Sequence, residues 1–306
     1  MIREDFLYKI KYLYKITENC SLCPRYCNTK RFQAEKGLCG AKDELRIASF
    51  SIHKGEEPCI SGNNGSGTIF FSGCPLKCKF CQNYPISRFY NGKDYTVLEL
   101  SDITLKLQKR GAHNINLVTS THFMPFIVEA LYIAKDKGLK IPIVYNSSGY
   151  ETEELIEILD GIIDIYIPDI KYSDNKVALK YSGADNYVEV NRKALKKIYK
   201  QSGELQTDFS GIAIKGMLIR HLVLPEGLSG YQKSFRFIAE ELSENIPISL
   251  MSQYFPTYKA FNDNVVNRKI TVEEYIEAID CLSNAGLSGY YQTDLINDLT
   301  MGYFNN

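Results

Sequence analysis

From Gly67 onward, six short apolar runs rich in β-branched residues alternate with longer segments of helical periodicity, and that rhythm leaves few architectures open. The runs are GTIFFSG at 67–73, NINLVTS at 114–120, IPIVYNS at 141–147, IDIYIPD at 163–169, GMLIRHLVLP at 216–225 and IPISLMS at 246–252. Each stays nearly continuous in apolar residues and then turns polar, as strands buried on both faces do. Between them, Thr96 with Glu99 and Thr271 with Glu274 have capping-box spacing. Phe126, Ile127, Ala130, Leu131 and Ala134 follow one helical face, which Gly138 is placed to stop. Residues 187–203 form a basic helix whose lysines are expected on a solvated outer face. Six βα units are fewer than the eight of a closed barrel, so the expected fold is α/β, a partial (β/α)6 TIM-type barrel. Its site should lie at the C-terminal strand ends. Residues 1–62 lack the alternation and form a cysteine-rich, metal-binding N-terminal segment, joined by the loop SGNNGSG to a core domain over 63–306.

The segment CPLKCKFC places Cys74, Cys78 and Cys81 directly after the first run, with Phe80 before the last thiol. A four-iron cluster is normally held by four cysteines, so three leave one iron open to a chelating small molecule. A zinc knuckle is the alternative, but closed zinc sites want four ligands. The spacing and the aromatic resemble the signature of the radical S-adenosylmethionine superfamily. In that family the open iron chelates S-adenosylmethionine, which the reduced cluster cleaves to a 5'-deoxyadenosyl radical. Across GEEPCISGNNGSGTIFFSGC, GAHNINLVTSTH, VYNSSGY, DIYIPDIKY, RHLVLP and MSQYFPTY, the chain is similar to the iron-sulfur proteins related to pyruvate formate-lyase activating enzymes.

The resemblance implies roles for the strand ends. Thr119, Ser120 and His122 stand where activating enzymes have a Gly-Gly-Glu turn that receives the methionyl amine, although the glycines and the carboxylate are absent here. Asn146 and Ser148 match a polar turn that binds the nucleoside or carboxylate end of the cofactor. Asp169 and Lys171 match a DxK element whose lysine faces the cofactor carboxylate, and a surface ion pair is the alternative. Arg220 and His221 are neighbours on a strand, so only one of them can face the barrel interior. Gln253 and Tyr254 fall where the family places groups near the adenine or the substrate. His53, Glu56 and Glu57 are candidates for the substrate mouth.

Nine cysteines in two tight clusters read as metal ligands in an intracellular chain of this size. Cys20, Cys23, Cys27 and Cys39 make a complete four-sulfur site, suited to an auxiliary iron-sulfur cluster or to zinc. Cys59 and Cys281 are expected as core thiols. Lysine plus arginine, 36, equals aspartate plus glutamate, 36, so there is no electrostatic reason to expect bulk nucleic-acid or anionic-membrane binding. With no apolar window of spanning length and no signal peptide, the expected location is cytoplasmic, and an oxygen-poor cell would suit the cluster.

The function expected is a radical S-adenosylmethionine enzyme that abstracts hydrogen from a protein, peptide or small-molecule substrate, served by an electron donor of flavodoxin or ferredoxin type. Two alternatives stand beside it. One is an activase that installs a glycyl radical on a partner enzyme. The other is a non-catalytic electron-transfer or metal-regulated binding protein.

Overall fold

The computed structural model describes residues 3–293 and, as backbone, 301–304. Residues 1–2, 294–300 and 305–306, which belong to the ends of the two expected segments, lie outside the described residues. In chain order the strands are β1 (Leu45–His53), β2 (Ser66–Phe71), β3 (Lys93–Tyr95), β4 (Ile115–Val118), β5 (Ile143–Ser147) and β6 (Ile165–Pro168). They continue as β7 (Gln206–Thr207), β8 (Ala213–Met217), β9 (Ile219–Leu222), β10 (Ile248–Met251), β11 (Gly289–Gln292) and β12 (Met301–Phe304).

One sheet runs β3-β1-β2-β4-β5-β6-β8-β7 and the other β12-β11-β10-β9. The pairs β2·β4, β4·β5, β5·β6, β9·β10 and β10·β11 are all parallel. A parallel bridge between Asp169 and Arg220 joins the two sheets, with Ile170 N–H donating to the Arg220 carbonyl at 2.8 Å. No strand pairing among the described residues closes the ring on the far side, so the barrel is partial. β4, β6 and β10 are buried at every position, as continuous apolar runs demand of strands covered on both faces.

Three features differ from the sequence expectation. The fifth run is kinked at Leu218: Gly216 and Met217 pair with β6, whereas Ile219 to Leu222 pair with β10. β11 adds a seventh parallel strand to the wall. Residues 45–53 of the N-terminal segment form β1, which pairs antiparallel with β2 and so belongs to the main sheet.

Both capping boxes are present, at Thr96 with Glu99 and at Thr271 with Glu274. Helix Met124–Asp136 ends just before Gly138, whose φ of +101° fits a glycine stop. Helix Arg3–Glu18 packs on it through Phe6 against Tyr132, with ring centroids 5.3 Å apart, and Tyr14 against Phe126 at 5.7 Å. On helix Tyr187–Ser202, Lys196 and Lys197 face outward and pair with Glu241 and Glu157. Among the described residues no helix is long and apolar enough to cross a membrane.

Candidate active site

The first polar turn after β2 begins at Gly73, which has a φ of +89°, and a Cβ there would stand 2.5 Å from the carbonyl oxygen of Cys39. Glycine is therefore required by conformation and by space. The loop that follows is pinned along its length. Cys74 N–H donates to the Cys39 carbonyl at 3.0 Å, Lys77 N–H to Ser182 at 3.0 Å and Lys79 N–H to Tyr181 at 2.8 Å. Arg88 Nη2 donates to the carbonyls of Cys74 and Leu76, and Arg25 Nε to that of Pro75 at 2.9 Å. Ser182 Oγ donates to Cys78 Sγ at 2.9 Å, and Ser87 Oγ lies 3.1 Å from Cys81 Sγ.

The three thiols thus face one cavity of about 310 Å³ at the C-terminal ends of the strands. Burial pushes the Cys74 thiol up to about 12, and the neighbouring Cys78 and Cys81 add to the shift. Burial also raises Cys78, against the pull of the Lys171 ammonium. Three sulfur donors on one loop, all facing the same cavity, suit an iron-sulfur cluster, whose binding would exchange thiol protons for metal.

The strand ends contribute the remaining wall. Thr119, Asn146, Ser148, Asp169, Lys171, Arg220 and Gln253 all line the cavity, as does Phe80, whose ring packs at 5.6 Å from that of Tyr254. Thr119 takes a left-handed φ of +53° and so keeps a glycine-like turn without glycine. Lys171 Nζ lies 2.5 Å from Asp169 Oδ2. Burial disfavours the Lys171 charge, but Asp169 and Cys78 more than offset it, so its pKa is raised.

Two expected cofactor contacts are placed elsewhere. The Thr119 turn carries Ser120 and His122 beneath the cavity floor, where both are buried. His122 Nε2 lies 2.7 Å from the Ser72 carbonyl oxygen, and Ser120 Oγ reaches back to Leu117. Neither lines the cavity. Of the neighbours Arg220 and His221, only Arg220 points inward; His221 is buried against the ring of Phe235 at 5.2 Å.

The mouth is built from distant sequence. Arg220 Nε and Nη2 donate to the two oxygens of Glu57 at 2.7 and 2.6 Å, and Nη2 also reaches Glu56 at 2.5 Å. His53, Gly55, Glu56 and Glu57 line the cavity. Gln292, which the sequence did not suggest, shares reciprocal hydrogen bonds with Gln253. Glu151 was also not foreseen. Its buried carboxylate accepts from Ser147 Oγ at 3.0 Å and Thr121 Oγ1 at 3.3 Å, and burial raises its pKa to about 7. A buried carboxylate flanked by hydroxyls leaves no periodic signal in sequence.

The N-terminal thiols are also gathered. Cys20, Cys23 and Cys39 are buried and Cys27 is half-buried, and the four lie close enough to act on one another electrostatically. Among the described residues no group of three or more His, Cys, Asp or Glu side chains is arranged to grip a metal ion as it stands. Cys59 lies in a small apolar cluster with Ile60, Val144 and Ile167. Cys281 packs, half-buried, against the main core.

Comparison with known proteins places this geometry. The pattern of the Radical SAM superfamily matches residues 68–209, which span strands β2 to β7 and all three cavity cysteines. An uncharacterised protein of Methanocaldococcus jannaschii is 32% identical over 301 residues, covering 95% of this chain and 80% of its own length. A second uncharacterised protein of the same organism is 21% identical over 281 residues, covering 84% of this chain and 76% of its own. A radical SAM methyltransferase from Sphaerobacter thermophilus superposes with a TM-score of 0.52 at 12% identity, over 74% of this chain and 66% of that one, and so shares the fold.

Proposed function

This chain belongs to the radical SAM superfamily, and from that premise we propose that it is an enzyme that takes a hydrogen atom from a protein, peptide or small-molecule substrate held at the open mouth of the partial barrel. The observation that carries the reading is the convergence of Cys74, Cys78 and Cys81 with the polar strand ends on one cavity. Cys74, Cys78 and Cys81 would hold a four-iron cluster, and that group would supply the electron for reductive cleavage of S-adenosylmethionine.

The chain's own residues supply the rest. Lys171, ion-paired to Asp169, presents a cation to a carboxylate through a charge-assisted hydrogen bond. Asn146, Ser148 and Gln253 offer hydrogen bonds to the nucleoside or amino-acid end of such a ligand. Val118, Leu222 and Met251 line the cavity with apolar surface, which limits water around a reactive group. Glu56 and Glu57 hold Arg220 in place, so the mouth is preorganised before any substrate arrives. A low-potential ferredoxin or flavodoxin would serve as the electron donor.

The test is anaerobic reconstitution of the chain with iron and sulfide, followed by dithionite and S-adenosylmethionine. Formation of 5'-deoxyadenosine that is lost in Cys78→Ala supports the reading. Its absence from the reconstituted wild type would overturn it in favour of a non-catalytic protein.

A further inference from the structure

The N-terminal cysteines form a second sulfur centre that abuts the first. Two residues after each cysteine, the backbone amides of Leu22, Arg25, Thr29 and Ala41 hydrogen-bond to the sulfurs of Cys20, Cys23, Cys27 and Cys39 in turn. Thr29 Oγ1 adds a contact to Cys27 Sγ at 3.1 Å. Four sulfurs gathered in one place, each met by a backbone amide, make a complete donor set for a soft metal centre.

Arg31 points to the same conclusion independently. It is wholly buried, and its guanidinium donates to the main-chain carbonyls of Lys42 at 3.1 and 2.7 Å and His122 at 2.5 Å and also meets the Cys20 sulfur, with no carboxylate among these partners. Its charge lies against Cys20 and Cys39. A buried guanidinium without a carboxylate partner is costly unless other negative charge offsets it. Thiolates on a bound metal would supply that charge.

The segment is also anchored apart from its sulfurs. Phe6, Ile10 and Leu13 are buried in the main core, and β1 pairs with β2 from Ile47 to His53. The cysteine loops are instead joined to each other. The Cys39 carbonyl accepts from the Cys74 amide at 3.0 Å, and Arg25 of the first loop donates to Pro75 of the second at 2.9 Å. On the outer side, Cys27 is half-buried and Tyr26 is exposed, so that edge reaches the surface.

We propose that Cys20, Cys23, Cys27 and Cys39 hold a second iron-sulfur cluster, fully ligated by cysteine, that relays single electrons inward through the Cys39–Cys74 contact. The proposal rests on the three-cysteine site being the radical centre. One electron leaves a reduced ferredoxin or flavodoxin and reduces the outer cluster. The same electron then passes to the inner site, which returns the outer cluster to its oxidised state, and no bond or proton changes hands.

The experiment uses the full chain reconstituted anaerobically. A variant with Cys74→Ala, Cys78→Ala and Cys81→Ala is expected to retain about four irons and four sulfides per chain. After dithionite it should show a paramagnetic signal that S-adenosylmethionine leaves unchanged. Zinc in place of iron, or no bound iron, would overturn the proposal. A Cys20→Ala, Cys23→Ala variant should keep a signal that S-adenosylmethionine alters under dithionite and lose its reduction by reduced ferredoxin. Retained reduction by ferredoxin would overturn the relay. Arg31→Gln, which leaves every sulfur in place, should lower the reduction potential of the outer signal, and an unchanged potential would count against the site. If S-adenosylmethionine alters no signal in the wild type, the radical reading fails, whereas the iron content of the triple variant still decides the outer cluster.

Discussion

Arg220 and Glu57 meet through two parallel hydrogen bonds, Nε to Oε1 at 2.7 Å and Nη2 to Oε2 at 2.6 Å, although 163 residues separate them in sequence. The pair ties the N-terminal segment to the strand that links the two sheets, and Glu57 is only 1% exposed. Burial pushes the Glu57 carboxyl up, but the Arg220 charge and its hydrogen bonds outweigh that and hold it below the usual carboxylate range. Removing one partner strands the other's charge in a poorly solvated place. Arg220→Ala or Glu57→Gln is therefore expected to cost about 3–5 kcal/mol in urea unfolding. Replacing Arg220, Glu56 and Glu57 together with apolar residues of similar volume should cost less than either single change. A single-variant loss no larger than that of an exposed pair would refute this. Because the folded pKa of Glu57 is depressed, its contribution is present above the unfolded value, about 4.3, and is lost as pH falls through the folded one.

Two buried imidazoles set a second pH dependence. Burial foremost lowers both His122 and His221 to about 3. The unfolded chain takes up these protons near pH ~6.5, so stability is full above that value and is lost progressively as pH falls toward 3. Glu151 acts in the opposite sense. Its folded pKa of about 7 exceeds the unfolded one, so the stability it contributes is full at low pH and is lost as pH rises to 7. From these three groups the melting temperature should climb as pH rises from about 3 to about 6.5, two imidazoles outweighing one carboxyl, and level off above about 7. Glu151→Gln should raise it at alkaline pH and leave it nearly unchanged near pH ~5. A uniform shift at all pH values would contradict this assignment.

Lys171 gives the sharpest test of the cofactor wall. Its ammonium lies beside both Asp169 and Cys78, between the cysteine loop and the end of β6. A hydrogen bond to a charged group is worth about 1.5–3 kcal/mol, so Lys171→Met should weaken S-adenosylmethionine binding by about 10- to 100-fold. Iron content should stay unchanged. Equilibrium binding to the reconstituted protein measures the first quantity and metal analysis the second. Loss of iron together with affinity would mean that Lys171 supports the cysteine loop instead.

The parallel wall was legible because strands buried on both faces must be apolar at every position. β1 was not, since only Leu45 and Ile47 are buried and Arg46, Ser49 and Ser51 interrupt the pattern, as on a strand with one wet face. β11, with the short sequence GYYQ, lacks the length to stand out. The three cavity cysteines were legible because their tight spacing on one loop brings three thiols into one cavity. Strand-end residues were placed by the rule that barrel sites form at C-terminal ends, which brings Asn146, Asp169 and Arg220 together. That rule fixes position along a strand and says nothing of a turn that follows. The left-handed Thr119 therefore hid the burial of Ser120 and His122. The meeting of Arg220 with Glu57 lay beyond any local pattern.

Gly149 tests how rigidly the strand ends must be held. It has a φ of +67°, and a methyl group there would collide with the Asp169 carbonyl oxygen and with Asn191 Nδ2. Asn191 Nδ2 donates at 3.0 Å to both the Gly149 and the Asp169 carbonyls, so the side chain staples the end of β5 to the end of β6. Tyr187 reinforces the junction by donating to the Ser148 carbonyl at 2.9 Å. Gly149→Ala should thus cost about 1–3 kcal/mol from backbone strain alone. It should also push Asp169, and with it Lys171, away from Ser148. The combined expectation is a lower melting temperature together with weaker S-adenosylmethionine binding at full iron content. Asn191→Ala removes the staple without the collision and should reproduce the loss of stability with a smaller effect on binding. Equal binding by wild type and Gly149→Ala would show that the two strand ends move independently.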